Sequence, residues 1–141
     1  MKVQNGKRVP QIGEVYFMYF DGTNNEQKGG RPGIILQNNM GNAYSPNIIA
    51  LPITSSIKKV NQPTHVLLRA SDTGLRMDSM VLCENPRCMS KDCVGNYITK
   101  LPDYYMRQIA EAHLLATAAI AYLDIGALES IRIKALALNV A

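Results

Sequence analysis

The chain has no tryptophan, two phenylalanines, two histidines and three cysteines among its 141 residues. His65 and His113 stand far apart, and no HExxH or carboxylate cluster accompanies them. The ligand spacing of a catalytic zinc site is therefore missing, and no cofactor is expected. Cys83, Cys88 and Cys93 lack the close pairing of a zinc knuckle, and on one continuous strand Cys83 and Cys88 would face opposite sides. Cys83, inside "MVLCE", reads most simply as a core residue. There is no Gly-x-Ser-x-Gly elbow and no Walker-type loop, because the "GG" at 29–30 lacks the following lysine and helix. Long apolar runs are absent too. The most apolar, Leu114 to Leu123, is about half a bilayer span and reads as a buried helix.

The opening "MKVQNGKRVPQIG" has no apolar segment behind its charges, so it does not read as a secretory signal. An odd cysteine count without such a signal points to reduced thiols in a cytoplasm. A hydrophobic content of 47% excludes a disordered chain. A mean hydropathy of −0.07 speaks against a membrane protein. The length suits a single domain, 1–141, with a real core. A formal charge of +4 permits an acidic partner without identifying one.

Six β-prone stretches come first: "GEVYFMYF" (13–20), "PGIILQ" (32–37), "NIIALPIT" (47–54), "THVLLR" (64–69), "SMVLCEN" (79–85) and "GNYITKL" (95–101). Pro52 suggests an edge or a bulge in the third. "DGTNNEQKGG" is a long polar loop, "MGNAYSP" turn material and "ASDTGLRMD" a polar connector. The period then becomes helical over 102–122, where Met106, Ile109, Ala110 and His113 or Leu114 recur at one face. A second helical pattern occupies 124–141. Strands first and helices last predict a small, mostly β barrel (13–101) with a helical end, preceded by a short leader, 1–12.

Within "EQKGGRPGIILQNN" one arginine sits between glycines and a proline at the mouth of a strand. Arg31 could make a surface ion pair, and Thr54, closing "NIIALPIT", a hydroxyl–backbone turn. The functional alternative is a phosphate clamp, in which a guanidinium offers paired planar donors and a hydroxyl adds another.

The order of "GEVYF", "EQKGGRPGIILQNN", "GNAYSPNIIALPITSSIKK", "PTHV" and "DSMVLCE" resembles the MazF/PemK toxins, endoribonucleases of toxin–antitoxin modules, over residues 13 to about 122. The resemblance implies an SH3-like barrel with C-terminal helices, a homodimer, and metal-independent cleavage of single-stranded RNA by attack of the 2′-oxygen, leaving a 2′,3′-cyclic phosphate and a 5′-hydroxyl. It places Arg31 and Thr54 at the catalytic positions. It places Glu26 and Gln27 in the recognition loop, Ser79 in an RNA-binding position and Glu84 with Asn85 as an acid–amide pair reading bases. Asn85 stands where a relative often has glutamine, and Pro86 follows it. Lys58 and Lys59 would neutralise the RNA backbone or simply be solvated. A guanidinium scarcely deprotonates, so Arg31 is read as charge stabiliser and proton donor. The general base stays unassigned, with His65 a candidate only if it lies near in space.

The implied partners are a cognate acidic antitoxin with a disordered segment and, only as the toxin–antitoxin complex, operator DNA. No membrane is implied. Two alternatives remain open at this stage: a catalytically inactive relative that only binds antitoxin and operator DNA, and a structural barrel in which "GGRP" serves folding.

Overall fold

The computed structural model describes residues 1–20 and 30–140. Glu26 and Gln27 lie outside the described residues. Strands β1 (Val3–Gln4) and β2 (Lys7–Arg8) pair as a small hairpin. Its turn residues Asn5 and Gly6 have φ of 53° and 75°, the left-handed pair that a two-residue hairpin turn demands. The expected leader is thus folded, and the Asn-Gly dipeptide was the signal for it.

The remaining strands are β3 (Glu14–Met18), β4 (Arg31–Ile35), β5 (Asn47–Thr54), β6 (His65–Leu68), β7 (Ser79–Leu82), β8 (Arg87–Ser90) and β9 (Val94–Lys100). They form one antiparallel sheet in the order β6-β7-β5-β4-β3-β9, with β8 also on β5. The ends of that order, β6 and β9, do not pair, so the expected barrel is an open sheet. Alternating side chains fill two apolar clusters. Val15, Ile34, Leu51 and Ile53 pack with Tyr105 and Ile109 of the helix that follows the last strand. Tyr16, Met18, Ile35, Ile48 and Ala50 form the other cluster.

Pro52 sits where one side of β5 is locally an edge. It lies inside β5, opposite Gly33 of β4. The Leu36 N–H donates to the Ile49 carbonyl at 3.0 Å, so by antiparallel alternation the Gly33–Pro52 pair is a non-hydrogen-bonded one. The proline nitrogen therefore points away from β4. On that far side β5 pairs with β8 only up to Ala50 and with β7 only from Ile53. The missing N–H falls where no strand needs it.

Two segments expected to be irregular are short helices. "MGNAYSP" contains most of α1 (Asn39–Tyr44), started by the Asn38 side chain accepting from the Gly41 N–H. α2 (Ala70–Thr73) ends on Gly74 at φ 78°. The expected strand 79–85 stops at Leu82, and β8, which the pattern did not reveal, follows a turn. Cys83 and Cys88 are therefore not on one strand.

Helix α3 spans Asp103–Leu115 and buries Tyr105, Ile109 and Ala112, with Met106 half-buried. Ala110 is exposed, and Leu114 and Leu115 are 51% and 62% exposed. The run 114–123 is therefore not the single buried helix expected. The chain turns at Ala116, makes one 3-10 turn (Ala119–Tyr122), and starts α4 (Ile125–Leu138) at Asp124, whose carboxylate accepts from the Ala127 N–H. α4 has no buried residue. Its end is tied to α1: the Asn39 N–H donates to Asn139 Oδ1 at 3.0 Å.

Candidate active site

The β4–β5 ladder runs through Ile35–Ala50, Ile34–Leu51 and Gly33–Pro52, and Arg31 and Thr54 each lie two residues beyond its last pair. Two residues far apart in sequence are thus brought to neighbouring strand ends. On its other side Arg31 pairs with Met18 of β3. Gly30 makes that approach possible. A Cβ there would lie 2.6 Å from the Met18 carbonyl oxygen and 2.6 Å from the Phe17 ring.

Arg31 and Thr54 line a cleft of about 650 Å³ together with Ser79, whose apolar wall includes Phe17, Ile53 and Leu75. Arg31 is exposed and makes no ion pair with any described residue. The Thr54 hydroxyl oxygen accepts from the Ser56 N–H at 3.1 Å. The hydroxyl–backbone turn weighed from sequence is therefore present, and it leaves the hydroxyl proton free to donate. Ser79 is buried and donates to the Met77 carbonyl.

Arg76 also lines this cleft and is exposed, a residue that sequence reasoning missed inside the "polar connector". Its signal was a lone cation three residues before the matched Ser79. Two guanidiniums at one cleft suit a polyanion spanning more than one phosphate. Arg76→Ala should raise KM for RNA several-fold with kcat held within about twofold. Steady-state kinetics at two salt concentrations would check this, and an equal fall in kcat would assign Arg76 to the chemical step instead.

Glu84 and Asn85 do not line the cleft. Glu84 is the hub of a separate cluster, in which one oxygen, Oε2, meets Thr64 Oγ1 at 2.6 Å, His65 Nε2 at 2.9 Å and Gln62 Nε2 at 3.1 Å. The other His65 nitrogen, Nδ1, lies 3.1 Å from the Lys59 carbonyl. His65 is thus engaged at both nitrogens and outside the cleft, which removes it as the base in this arrangement. The cluster holds the loop after Thr54, where Lys58 and Lys59 are exposed and Lys59 has φ 53°. Glu84→Ala should cost about 1–3 kcal/mol, the loss of its charge-assisted bonds. Urea unfolding would measure this, and an unchanged midpoint would show that the cluster contributes nothing.

Burial, with the Glu84 charge nearby, pushes the Cys83 thiol up to about 12, so it stays protonated and unreactive. Among the described residues no three His, Cys, Asp or Glu side chains gather to hold a metal, and no helix is long and apolar enough to cross a membrane.

Residues 11–115 match the family model of the PemK-like, MazF-like toxin of type II toxin-antitoxin system. Endoribonuclease EndoA of Bacillus subtilis (strain 168) is 36% identical over 113 residues, 79% of this chain and 97% of its own. Endoribonuclease MazF of Staphylococcus saprophyticus is 37% identical over 101 residues, 71% of this chain and 84% of its own. The solved structure of an endoribonuclease in complex with its cognate antitoxin, from Mycobacterial species, superposes with a TM-score of 0.63 at 26% identity, over 76% of this chain and 93% of that one. Sequence order, mostly β sheet and C-terminal helices agree, and the chain belongs to the PemK-like, MazF-like toxins of type II toxin–antitoxin systems.

Proposed function

We propose that the chain is an endoribonuclease toxin that cuts single-stranded RNA at a short sequence motif, without a metal ion, through attack of the 2′-oxygen on the adjacent phosphorus. The observation carrying this reading is that Arg31 and Thr54, from neighbouring strands β4 and β5, line one cleft. As the 2′-oxygen bonds to phosphorus, negative charge grows on the non-bridging oxygens. Fixed donors hold that charge better than they hold the ground state, which lowers the barrier. The 5′-oxygen then leaves and takes up a proton, for which Arg31 is the donor at hand. The 2′-proton goes to a base that no described residue of the cleft identifies.

The donor set supports metal independence. The cleft offers two guanidiniums, Arg31 and Arg76, which hold phosphate oxygens and repel a cation. Glu26 and Gln27 serve base reading in this account, with Lys58 and Lys59 on the backbone. Glu84 acts by holding their loop, while Asn85 remains available at the turn after β7. A homodimer would cover the apolar end of α3 and the uncovered helix α4. The antitoxin is a separate acidic chain whose disordered segment competes with RNA for the cleft. Operator DNA is bound only by that complex, in the cytoplasm.

Long single-stranded RNA incubated with the purified protein in EDTA should be cut at a few recurring motifs, with primer extension mapping the ends. Cleavage abolished by EDTA and restored by magnesium would overturn metal independence. Cleavage at random positions would overturn motif selection.

A further inference from the structure

A second and larger cleft, about 800 Å³, lies between the N-terminal hairpin and the strand β9 region, and shares no lining residue with the first. β3 separates the two, since Tyr16 lines this one and its neighbour Phe17 lines the other. Residues 1–10, which supply one wall, precede the family match at 11–115. They are held on by Arg8, whose guanidinium lies 3.7 Å over the Tyr97 ring centroid. The same group donates to the Tyr16 hydroxyl at 3.0 Å and to the Glu14 carboxylate. Glu14 is buried and in turn accepts from the Tyr16 hydroxyl and the Gln11 N–H. The guanidinium plane is therefore fixed before any ligand arrives.

Around this platform stand Lys7, Lys91, Asn5 and Asn96, with Asp92 the single carboxylate of the lining. Neither lysine is ion-paired with a described residue. Lys91 is half-buried, and loss of water holds its ammonium below the usual lysine range. An anion brought to it would replace the missing solvation. Amides beside the cations add donors and acceptors suited to a heterocycle edge, and bases stack readily on guanidinium planes. The volume is that of a small-molecule site.

We propose that this hairpin cleft binds a nucleoside phosphate, with its base laid against Arg8 and its phosphate held by Lys7 and Lys91. The ligand is either a free mononucleotide or one unit of an RNA strand that continues past the catalytic cleft. The inference does not require RNA cleavage, so it stands or falls separately from the proposed function.

The test is NMR titration of the full chain with the four nucleoside 5′-monophosphates, inorganic phosphate and adenosine. Saturable shifts are expected at the amides of Gly6, Gly95 and Asn96, strongest with a nucleotide and retained in Arg31→Ala. Lys91→Gln should weaken binding about ten- to hundredfold, the loss expected for one charge-assisted hydrogen bond. If that variant fails to fold, Lys7→Gln on the exposed hairpin should give the same result. Non-cleavable RNAs of five and twenty nucleotides separate the two sources. Weakening of only the longer by Lys91→Gln identifies an RNA strand, and weakening of neither, with mononucleotide binding lost, identifies a free nucleotide. Absence of saturable binding would overturn the proposal, as would shifts confined to Gly33, Thr54 and Ser55 that vanish in Arg31→Ala.

Discussion

Arg31→Ala should lower RNA cleavage about 10²–10³-fold, the loss typical of one preorganised transition-state donor, while leaving the fold intact. The expectation of intact folding comes from exposure. Arg31 has no ion-pair partner among the described residues, and truncation of such a side chain usually changes stability by no more than about 0.5 kcal/mol. Arg31→Lys should recover little, because an ammonium cannot present the paired planar donors of a guanidinium to two oxygens. Thr54→Ala should fall by a similar factor and Thr54→Ser should stay near wild type, since serine keeps both the acceptor for the Ser56 N–H and the free proton. Single-turnover cleavage with thermal denaturation alongside would check all four variants. A wild-type rate in Arg31→Ala removes the clamp. An unfolded Arg31→Ala would return "GGRP" to a purely structural role.

Local signals revealed most of the scaffold. Six of the seven sheet strands follow β-prone stretches bounded by glycine, proline or polar turns, and α3 begins after Pro102 with an acidic residue in its first turn. β8 escaped because "RCMS" has no alternating apolar pattern. It is a strand through its ladder with Asn47–Ala50, a tertiary cause. α1 escaped because glycine and asparagine dominate it. Asn38 caps it, and buried Asn39 and Asn42 hold it by side-chain bonds no periodicity records. At the other end, the apolar run 114–123 promised burial, but composition does not say whether a covering surface exists. Within this chain α3 finds one only as far as Ala112, with His113 half-buried.

The site was legible in a different way. Residue types at the strand ends suggested a clamp, but that Arg31 and Thr54 share one cleft depends on which strands are neighbours, which only pairing sets. Glu84 illustrates the converse. Its place in a turn was readable, but the three donors that converge on one of its oxygens are brought there by tertiary packing.

Close packing also makes Gly30 a sensitive backbone position beside Arg31. Gly30→Ala should reduce kcat about 10²-fold, the size of loss that a misplacement near 1 Å can produce. Its φ is not in the left-handed region, so the demand is for space rather than for an unusual conformation. The Phe17 ring could swing from an added methyl, but the Met18 carbonyl, 2.6 Å away, belongs to β3 and cannot yield alone. β4 would have to move off β3 at the Met18–Arg31 pair, shifting the guanidinium within the cleft that it lines with Thr54. Gly95→Ala is the matched control. Its methyl would lie 2.8 Å from the Phe17 carbonyl, so it loads β3 without touching β4. Both variants should lose thermal stability, but only Gly30→Ala should lose turnover once assayed well below its melting temperature. Equal turnover in the two would mean that the start of β4 tolerates displacement and that Arg31 acts without fixed placement.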